Sequence, residues 1–440
     1  MFIIKNVKLN GELTNIMITG NKVSGIVKDL GEFMDIPSID GNGNTILPAF
    51  VDIHTHLREP GFESKEDITS GLKAAVSGGY SAVCPMPNTN PVTDNKYIVS
   101  YIKMRAREVG LARVFPIGAI SKGLKGEELA EMASMQRAGI VAVSDDGMPV
   151  TNSNLMRKAM EYADGLGMIT ISHSEDKSLA EGHANEGANA TRAGIEGISR
   201  VAEEAMVARE ILLADSLNVG VHIAHVSTAN SVDLVRWAKA KGIKVTCETC
   251  PHYIVGTDEL ILNYDCNAKV NPPLREESDR QAIIAGLLDG TIDAIATDHA
   301  PHTKSEKDRE FALAPNGISG LESAFSLCYT ALVESGLMSL ERLSELMSKN
   351  PSDILNLPCG ELVEGGLADF VIVDTEKEYV IDSSKWFSKG KNTPFNGRKV
   401  KGQIMTTIVD GNIVFNRLTE ENKWLLISWL MQLKELITHL

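Results

Sequence analysis

The chain has 440 residues, 43% apolar and 23% charged, which is ample core material and too apolar for a disordered polymer. Its 43 basic and 58 acidic side chains leave a net charge of −15, which argues against nonspecific nucleic-acid binding and against a polybasic membrane patch. No run reaches the roughly 18 apolar residues of a membrane span, residues 1–30 show no signal-peptide pattern, and six cysteines are too sparse for a disulfide framework, so a cytoplasmic protein is expected.

Residues 1–48 alternate short β-type runs with turn signals (KLNGEL, ITGNKV, DGNGN) and predict the first part of a small β-domain. From Ala49 to His302 come eight apolar, β-branched-rich runs: 49–56, 81–88, 113–120, 139–146, 168–175, 219–227, 244–252 and 291–302. Helical patterns separate them. Ile68, Leu72, Ala75 and Val76 share one face within 66–78, as do Ile283, Ile284, Leu287 and Leu288 within 276–289, and the helix after the sixth run starts behind the good N-caps Ser227 and Thr228. Eight strand–helix units are the number that closes a (β/α)8 TIM barrel, here over 49–358, with an open doubly wound sheet as the alternative. Residues 359–416 return to the β style (LADFVIVD, QIMTTIVD, GNIVF) and predict the second part of the same small β-sandwich, with the barrel inserted between the two parts. Residues 417–440 predict a C-terminal helix, with Thr419 as N-cap and Leu425, Trp429, Leu433 and Leu436 along one side. Its near-neutral charge favours a core or subunit contact over a membrane surface.

Nine of the ten histidines lie between His54 and His302, most of them where an apolar run ends, and strand ends are where a barrel gathers its catalytic groups. His54 and His56 are two apart and point to one face, while His173, His225 and Asp298 close the fifth, sixth and eighth runs. His222 is expected to face away from His225 and to be structural, and His183 and His439 have no strand to aim them. Of Asp145 and Asp146 only one can face inward, and alternation does not say which. Imidazoles with carboxylates suit a cation such as zinc and hydrolytic chemistry. The single C-x-x-C, Cys247 and Cys250, reads as small hydrophobes in a buried strand, and the chain has no phosphate-binding loop.

DIHTHLREPG (52–61), PMPNTNP (85–91), SDDG (144–147), HIAHVST (222–228), ETCPHY (248–253), NPPLR (271–275), ATDHAPH with Lys307 (296–307), NGISGLE (316–322), LADFVIVD and NTPFNG together resemble the dihydroorotases of pyrimidine biosynthesis, in the amidohydrolase superfamily. The resemblance implies two zinc ions, one held by His54, His56 and Asp298, the other by His173 and His225, with Asp146 bridging them. Hydantoinases, allantoinases and several dihydroorotases use a carboxylated lysine at that place; the nearest lysine here, Lys158, falls in a helical pattern, so the chain resembles the class I dihydroorotase subgroup that bridges with aspartate instead. The implied reaction is the reversible cyclisation of N-carbamoyl-L-aspartate to L-dihydroorotate, by attack of metal-bound hydroxide on the ring amide with Asp298 as general base and then acid. Arg58, whose planar fork suits a carboxylate, would bind substrate with Asn88, Asn271, His302, Asn316 and Gly317. The resemblance also implies a homodimer and admits association with aspartate transcarbamoylase. The competing readings are another cyclic amidohydrolase, a hydantoinase or allantoinase, and an inactive structural partner of that transcarbamoylase.

Overall fold

The computed structural model describes residues 1–33 and 36–418, so all but the first two residues of the helix expected over 417–440 lie outside the described residues. Eight parallel strands form the barrel: Phe50–Thr55, Tyr80–Pro85, Arg113–Val114, Ala142–Ser144, Ile169–Ser172, Val221–Ile223, Val245–Thr249 and Ala294–Ile295. The first three pair in one arc and the last five in another. Parallel bridges Gly118↔Val143 and Thr55↔His299 join the arcs at both seams and close the ring. Asp52 reinforces the second seam, its carboxylate accepting the backbone N–H groups of His54 and Thr297 at 3.1 Å each. The open-sheet alternative is therefore set aside.

The ordered strands are shorter than the apolar runs that announce them. Pro116 ends the third, because proline cannot donate to a ladder. The eighth stops at Ile295 because the chain must then turn to Asp298, whose φ is 45°. Small and branched side chains fill the lumen, among them Val51, Ile53, Ala82, Ile171, Ala224 and Ala296. The helices lie where the periodicity places them: Ile68–Ser77 is capped by Asp67 and Glu277–Asp289 follows the seventh strand. Thr228 caps Ala229–Ala240 by accepting the Ser231 N–H, whereas Ser227 is bound by Glu203.

The two chain ends build one eight-stranded sheet. Strands Phe2–Leu9, Glu12–Thr19, Lys22–Val27, Ser38–Asp40 and Thr45–Pro48 meet Phe370–Val380, Lys399–Val409 and Asn412–Asn416, and the joining ladder is antiparallel, Leu47 opposite Val371. The sheet curls until its outer turns touch. Gly411 (φ 71°) donates to Ala368 O, and a Cβ there would stand 2.3 Å from Gly20 O, so only glycine fits. Ile4, Ile16, Ile18, Ile46, Phe370 and Ile408 fill the core between its halves, which is the sandwich expected of the two ends.

Arg113, on the third barrel strand, ties barrel to sheet by bonding Asp369 and Asp410. Asp369 is 1% exposed, so removing its partner strands a buried carboxylate. Arg113→Met is expected to cost about 3–5 kcal/mol of unfolding free energy, read by urea denaturation; a loss below about 0.5 kcal/mol would show that the tie contributes little.

Candidate metal centre and substrate cavity

Six side chains from five strand ends converge at the C-terminal mouth of the barrel, and none is more than 5% exposed: His54, His56, Asp146, His173, His225 and Asp298. Two groups of three have ligand atoms within 4.8 Å of one another, His54 with His56 and Asp298, and His54 with Asp146 and His225. Asp146 stands at the middle. Its Oδ1 lies 3.4 Å from His54 Nε2, 3.4 Å from His173 Nδ1 and 3.6 Å from His225 Nε2, and its Oδ2 lies 3.5 Å from His56 Nε2. Asp145 turns the other way, accepting the backbone N–H groups of Ile120 and Ser121 at 2.8 and 3.0 Å, which resolves the choice that alternation left open.

An outer acceptor orients each of three imidazoles. His54 Nδ1 bonds Glu248 Oε1 at 2.7 Å and His56 Nδ1 bonds Asn88 Oδ1 at 2.9 Å, so both rings turn Nε2 to the centre. His173 is reversed: its Nε2 faces Glu175 Oε2 at 3.6 Å and its Nδ1 faces inward. His54 Nε2 is buried, has no hydrogen-bond partner, and faces the gap between the carboxylates of Asp146 and Asp298. The electrostatics agree. Burial alone would lower the pKa of His54, but Asp146 and Glu248 raise it well above the usual imidazole value; burial likewise opposes the rise at His173, which Asp146 and Glu175 carry to about 9. Burial opposes ionisation of Asp146 and Asp298 as well, yet the surrounding imidazoles hold both well below the usual carboxylate range. Such surroundings attract positive charge, which a divalent cation held by imidazole nitrogens and carboxylate oxygens would supply.

Beside the cluster opens a cavity of about 190 Å³, lined by Arg58, Asn88, Asn271, Asn316 and Gly317 together with Asp146 and Asp298. Arg58 takes φ 63° and donates from Nε to Pro301 O at 3.2 Å. His302 does not line this cavity but stands behind Arg58, its Nε2 donating to Asn316 O at 2.8 Å. Burial, then the charges of Arg58, Lys307 and Lys65, push its pKa down to about 3, so the ring is neutral. Asn88 is largely engaged by the cluster, accepting from His56 and donating to Asp146 Oδ2 at 3.3 Å. Asn271 donates to Glu175 at 2.8 Å, and its Oδ1 is left buried without a partner. His222 is buried apart from the centre, bonding Thr246 Oγ1 at 2.8 Å. Lys158 is exposed on helix Ser153–Gly165, and Cys247 and Cys250 are buried free thiols.

Sequence reasoning missed Glu248, Glu175 and Lys177, although signals for the carboxylates exist. Glu248 is a charged residue inside a buried strand, and Glu175 follows His173 by two, the same spacing that pairs His54 with His56. Lys177, at the cavity rim, bonds Glu175 at 2.9 Å.

A family model described as Dihydro-orotase-like matches residues 43–231. The dihydroorotase of Thermoanaerobacter sp. is 50% identical over 397 residues, 89% of this chain and 92% of that one; that of Desulforapulum autotrophicum is 52% identical over 383, 87% and 89%. The chain belongs to the dihydroorotase family. Among solved structures, the L-hydantoinase (dihydropyrimidinase) of Arthrobacter aurescens superposes with a TM-score of 0.85 at 25% identity, covering 94% of this chain and 96% of that one. The dihydropyrimidinase of Brevibacillus agri gives 0.80 at 23%, covering 94% and 95%, a likeness of fold. As in a family of cyclic amidohydrolases, the His/Asp clusters of this chain are of a kind that can hold metal. Among the described residues no helix is long and apolar enough to cross a membrane.

Glu248 tests the cluster without touching the cavity. Glu248→Gln removes the charge that fixes the His54 tautomer and is expected to weaken divalent-cation retention about 10–100-fold in chelator competition, with circular dichroism unchanged. Retention equal to the parent would sink the assignment of His54 as a ligand.

Proposed function

We propose that the chain is a dihydroorotase, catalysing the reversible interconversion of N-carbamoyl-L-aspartate and L-dihydroorotate in pyrimidine biosynthesis at a two-zinc centre. The observation that carries the reading is the convergence on Asp146 of four imidazoles, with Asp298 beside them, in a chain about half identical to proteins of that name. His54, His56 and Asp298 are assigned to one ion, His173 and His225 to the other, and Asp146 to both; nitrogen-rich donors with carboxylates favour zinc. Bound metal supplies acidity to a water and a Lewis acid for the amide carbonyl.

The remaining work falls to side chains. Asp298 is ionised, and His56 Nε2 engages its Oδ1 at 3.0 Å, so the other oxygen is assigned to take the proton of the attacking water and deliver it to the departing ring nitrogen. In the biosynthetic direction the same oxygen removes the proton from the ureide nitrogen as the ring closes and returns it to the carboxyl oxygen, which leaves as water when its C–O bond breaks. Arg58 is assigned to the substrate carboxylate, Pro301 O fixing the plane of its guanidinium by accepting from Nε. The unpartnered Oδ1 of Asn271 is assigned to an N–H of the ureide, and Asn316 and Gly317 close the cavity from the eighth-strand side. Asn88 orients His56 while lining the same cavity.

The hydantoinase reading is the weaker one: carboxylate stands where a carboxylated lysine would bridge, and sequence identity to those proteins is half that to the dihydroorotases. Nor does the chain resemble an inactive partner of aspartate transcarbamoylase, since no ligand of the set is missing. We further assign a cytoplasmic location and a homodimer.

Asp298→Asn is expected to lower kcat by at least about 10³-fold with the fold and metal content retained, measured by dihydroorotate hydrolysis and metal analysis; near-normal turnover would remove Asp298 from proton transfer. Arg58→Ala is expected to raise KM for carbamoyl-aspartate by about 10–100-fold, more than it lowers kcat, because a charged hydrogen-bond partner of the carboxylate is lost. An unchanged KM would mean that the clamp lies elsewhere.

A further inference from the structure

Behind the wall formed by residues 300–303 lies a second and larger groove, of about 850 Å³. Its sides come from 264–267 after the seventh barrel strand, 302–309 after the eighth, and 383–396 of the sheet domain. On a chain of net charge −15, this groove collects Lys304, Lys307, Arg309, Lys389 and Lys391, of which Lys389 is paired with Asp67. Two acidic residues, Asp265 and Asp308, share it, and Asp265 is spent on the N–H of Asn267.

The lysines are set in unusual ways. Lys307 is 7% exposed and donates from Nζ to three backbone carbonyls, Cys266 at 2.9 Å, Lys269 at 3.2 Å and Pro315 at 2.8 Å. Lys269, behind it, is 5% exposed and caps Phe311 O and Ala312 O at 2.8 and 2.9 Å. Lys391 bonds the carbonyls of Trp386 and Ser388. None of the ion pairs among the described residues includes these three. A carbonyl accepts a hydrogen bond from an ammonium but does not cancel its charge, and burial lowers the pKa of all three, that of Lys307 to about 7. Lys307 is thus a buried ammonium with no carboxylate partner, and it lies beside the exposed Lys304 and Lys391, which also have no ion pair among the described residues, so the groove keeps an excess of positive charge.

We propose that this groove binds a phosphorylated small molecule and that its occupancy is coupled to the substrate cavity. Clustered ammonium groups act as point charges that suit tetrahedral phosphate oxygens, and the amides of Asn267 and Asn396 line the same space. The volume falls within the range of small-molecule sites. The coupling runs through Asn392, part of the NTPFNG motif. It is 3% exposed, accepts the His302 N–H at 2.9 Å, and donates to Ala300 O at 3.0 Å and Gly317 O at 2.9 Å. Asn392 and His302 line the groove, while Ala300 and Gly317 line the substrate cavity, so one buried amide holds both walls. Binding on either side that shifts this segment must alter affinity on the other, reciprocally. The coupling rests on the substrate reading above; the groove itself does not.

The test uses the full-length, metal-loaded protein at constant ionic strength. Inorganic phosphate is titrated calorimetrically into the parent, Lys304→Glu, the Lys304→Glu/Lys391→Glu double variant and Arg58→Ala, with succinate as the carboxylate comparison. The expected result is saturable phosphate binding, weakened about tenfold or more by the double variant, less by Lys304→Glu alone, and kept in Arg58→Ala. Absence of saturable binding overturns the site. Binding lost in Arg58→Ala but kept in the lysine variants places the anion in the substrate cavity and equally overturns it, and succinate binding the groove as tightly as phosphate overturns the phosphate assignment. Saturating phosphate should change KM for carbamoyl-aspartate about twofold or more in the parent and leave the double variant unmoved. If phosphate binds at the lysines while KM stays constant, the coupling is wrong and the site stands; if turnover is absent but lysine-dependent binding persists, the activity assignment fails and not the groove.

Discussion

Everything at the mouth of the barrel is arranged around the burial of Asp146 among four imidazoles. A carboxylate taken out of water is tolerable only if positive charge or donors replace its hydration, and imidazoles crowded together are tolerable only if anions separate them. The cluster meets both demands by alternation: Asp146 and Asp298 at the centre, Glu248 and Glu175 outside, with histidines between. Each outer acceptor also fixes which ring nitrogen points inward. Charge balance and ring orientation are therefore one requirement met by the same residues.

That requirement reaches into the backbone. Arg58, His225 and Asp298 all take positive φ, at 63°, 36° and 45°, in a region that residues with a Cβ enter at a cost of about 1–2 kcal/mol each. All three stand immediately past barrel strands, where the chain must bend to present a side chain over the ring. The surrounding structure holds these bends in place. Thr55 and His299 bridge the seam, and His56 N donates to His299 O at 2.9 Å. Glu203 receives the N–H groups of Ser227 and Thr228 at 3.0 and 3.2 Å just after His225, and Arg275, from the seventh-strand loop, donates to Ser227 Oγ at 3.0 Å and pairs with Glu203. Glu66 ties the ring of His299 to the backbone of Lys389, so the sheet domain also braces the catalytic end.

What the sequence disclosed follows from how local each signal is. Strand runs and helix faces are periodic, so the barrel, the helices Ile68–Ser77 and Glu277–Asp289 and the Thr228 cap could be read from spacing alone. His54 and His56 could be paired because two residues on one strand share a face. Asp145 and Asp146 could not be separated, since that choice depends on the backbone of Ile120 and Ser121 in a neighbouring strand, about which alternation carries no information. For the same reason His302 reads as a substrate contact by its place beside Asp298, while only the folded loop shows it braced against Asn316 behind Arg58. The lysines of the second groove come from segments more than 80 residues apart, and no spacing rule joins Lys307 to Lys391.

Glu175 shows how far a single carboxylate can organise this site. Burial favours its protonation, but His173 and Lys177 hold it ionised. In that state it accepts the Asn271 amide N–H and thereby sets which end of that amide is left for the cavity. It also holds the Lys177 ammonium at the rim and keeps the His173 ring reversed relative to His54 and His56. Were Glu175 neutral, the ion pair with Lys177 and the attraction to His173 would weaken together, because both depend on the charge of the same carboxylate. A residue that contributes neither a ligand atom to the centre nor a wall to the cavity thus governs the donor and acceptor pattern that a ureide would meet. The chemistry of the site depends on that second layer as much as on the histidines themselves.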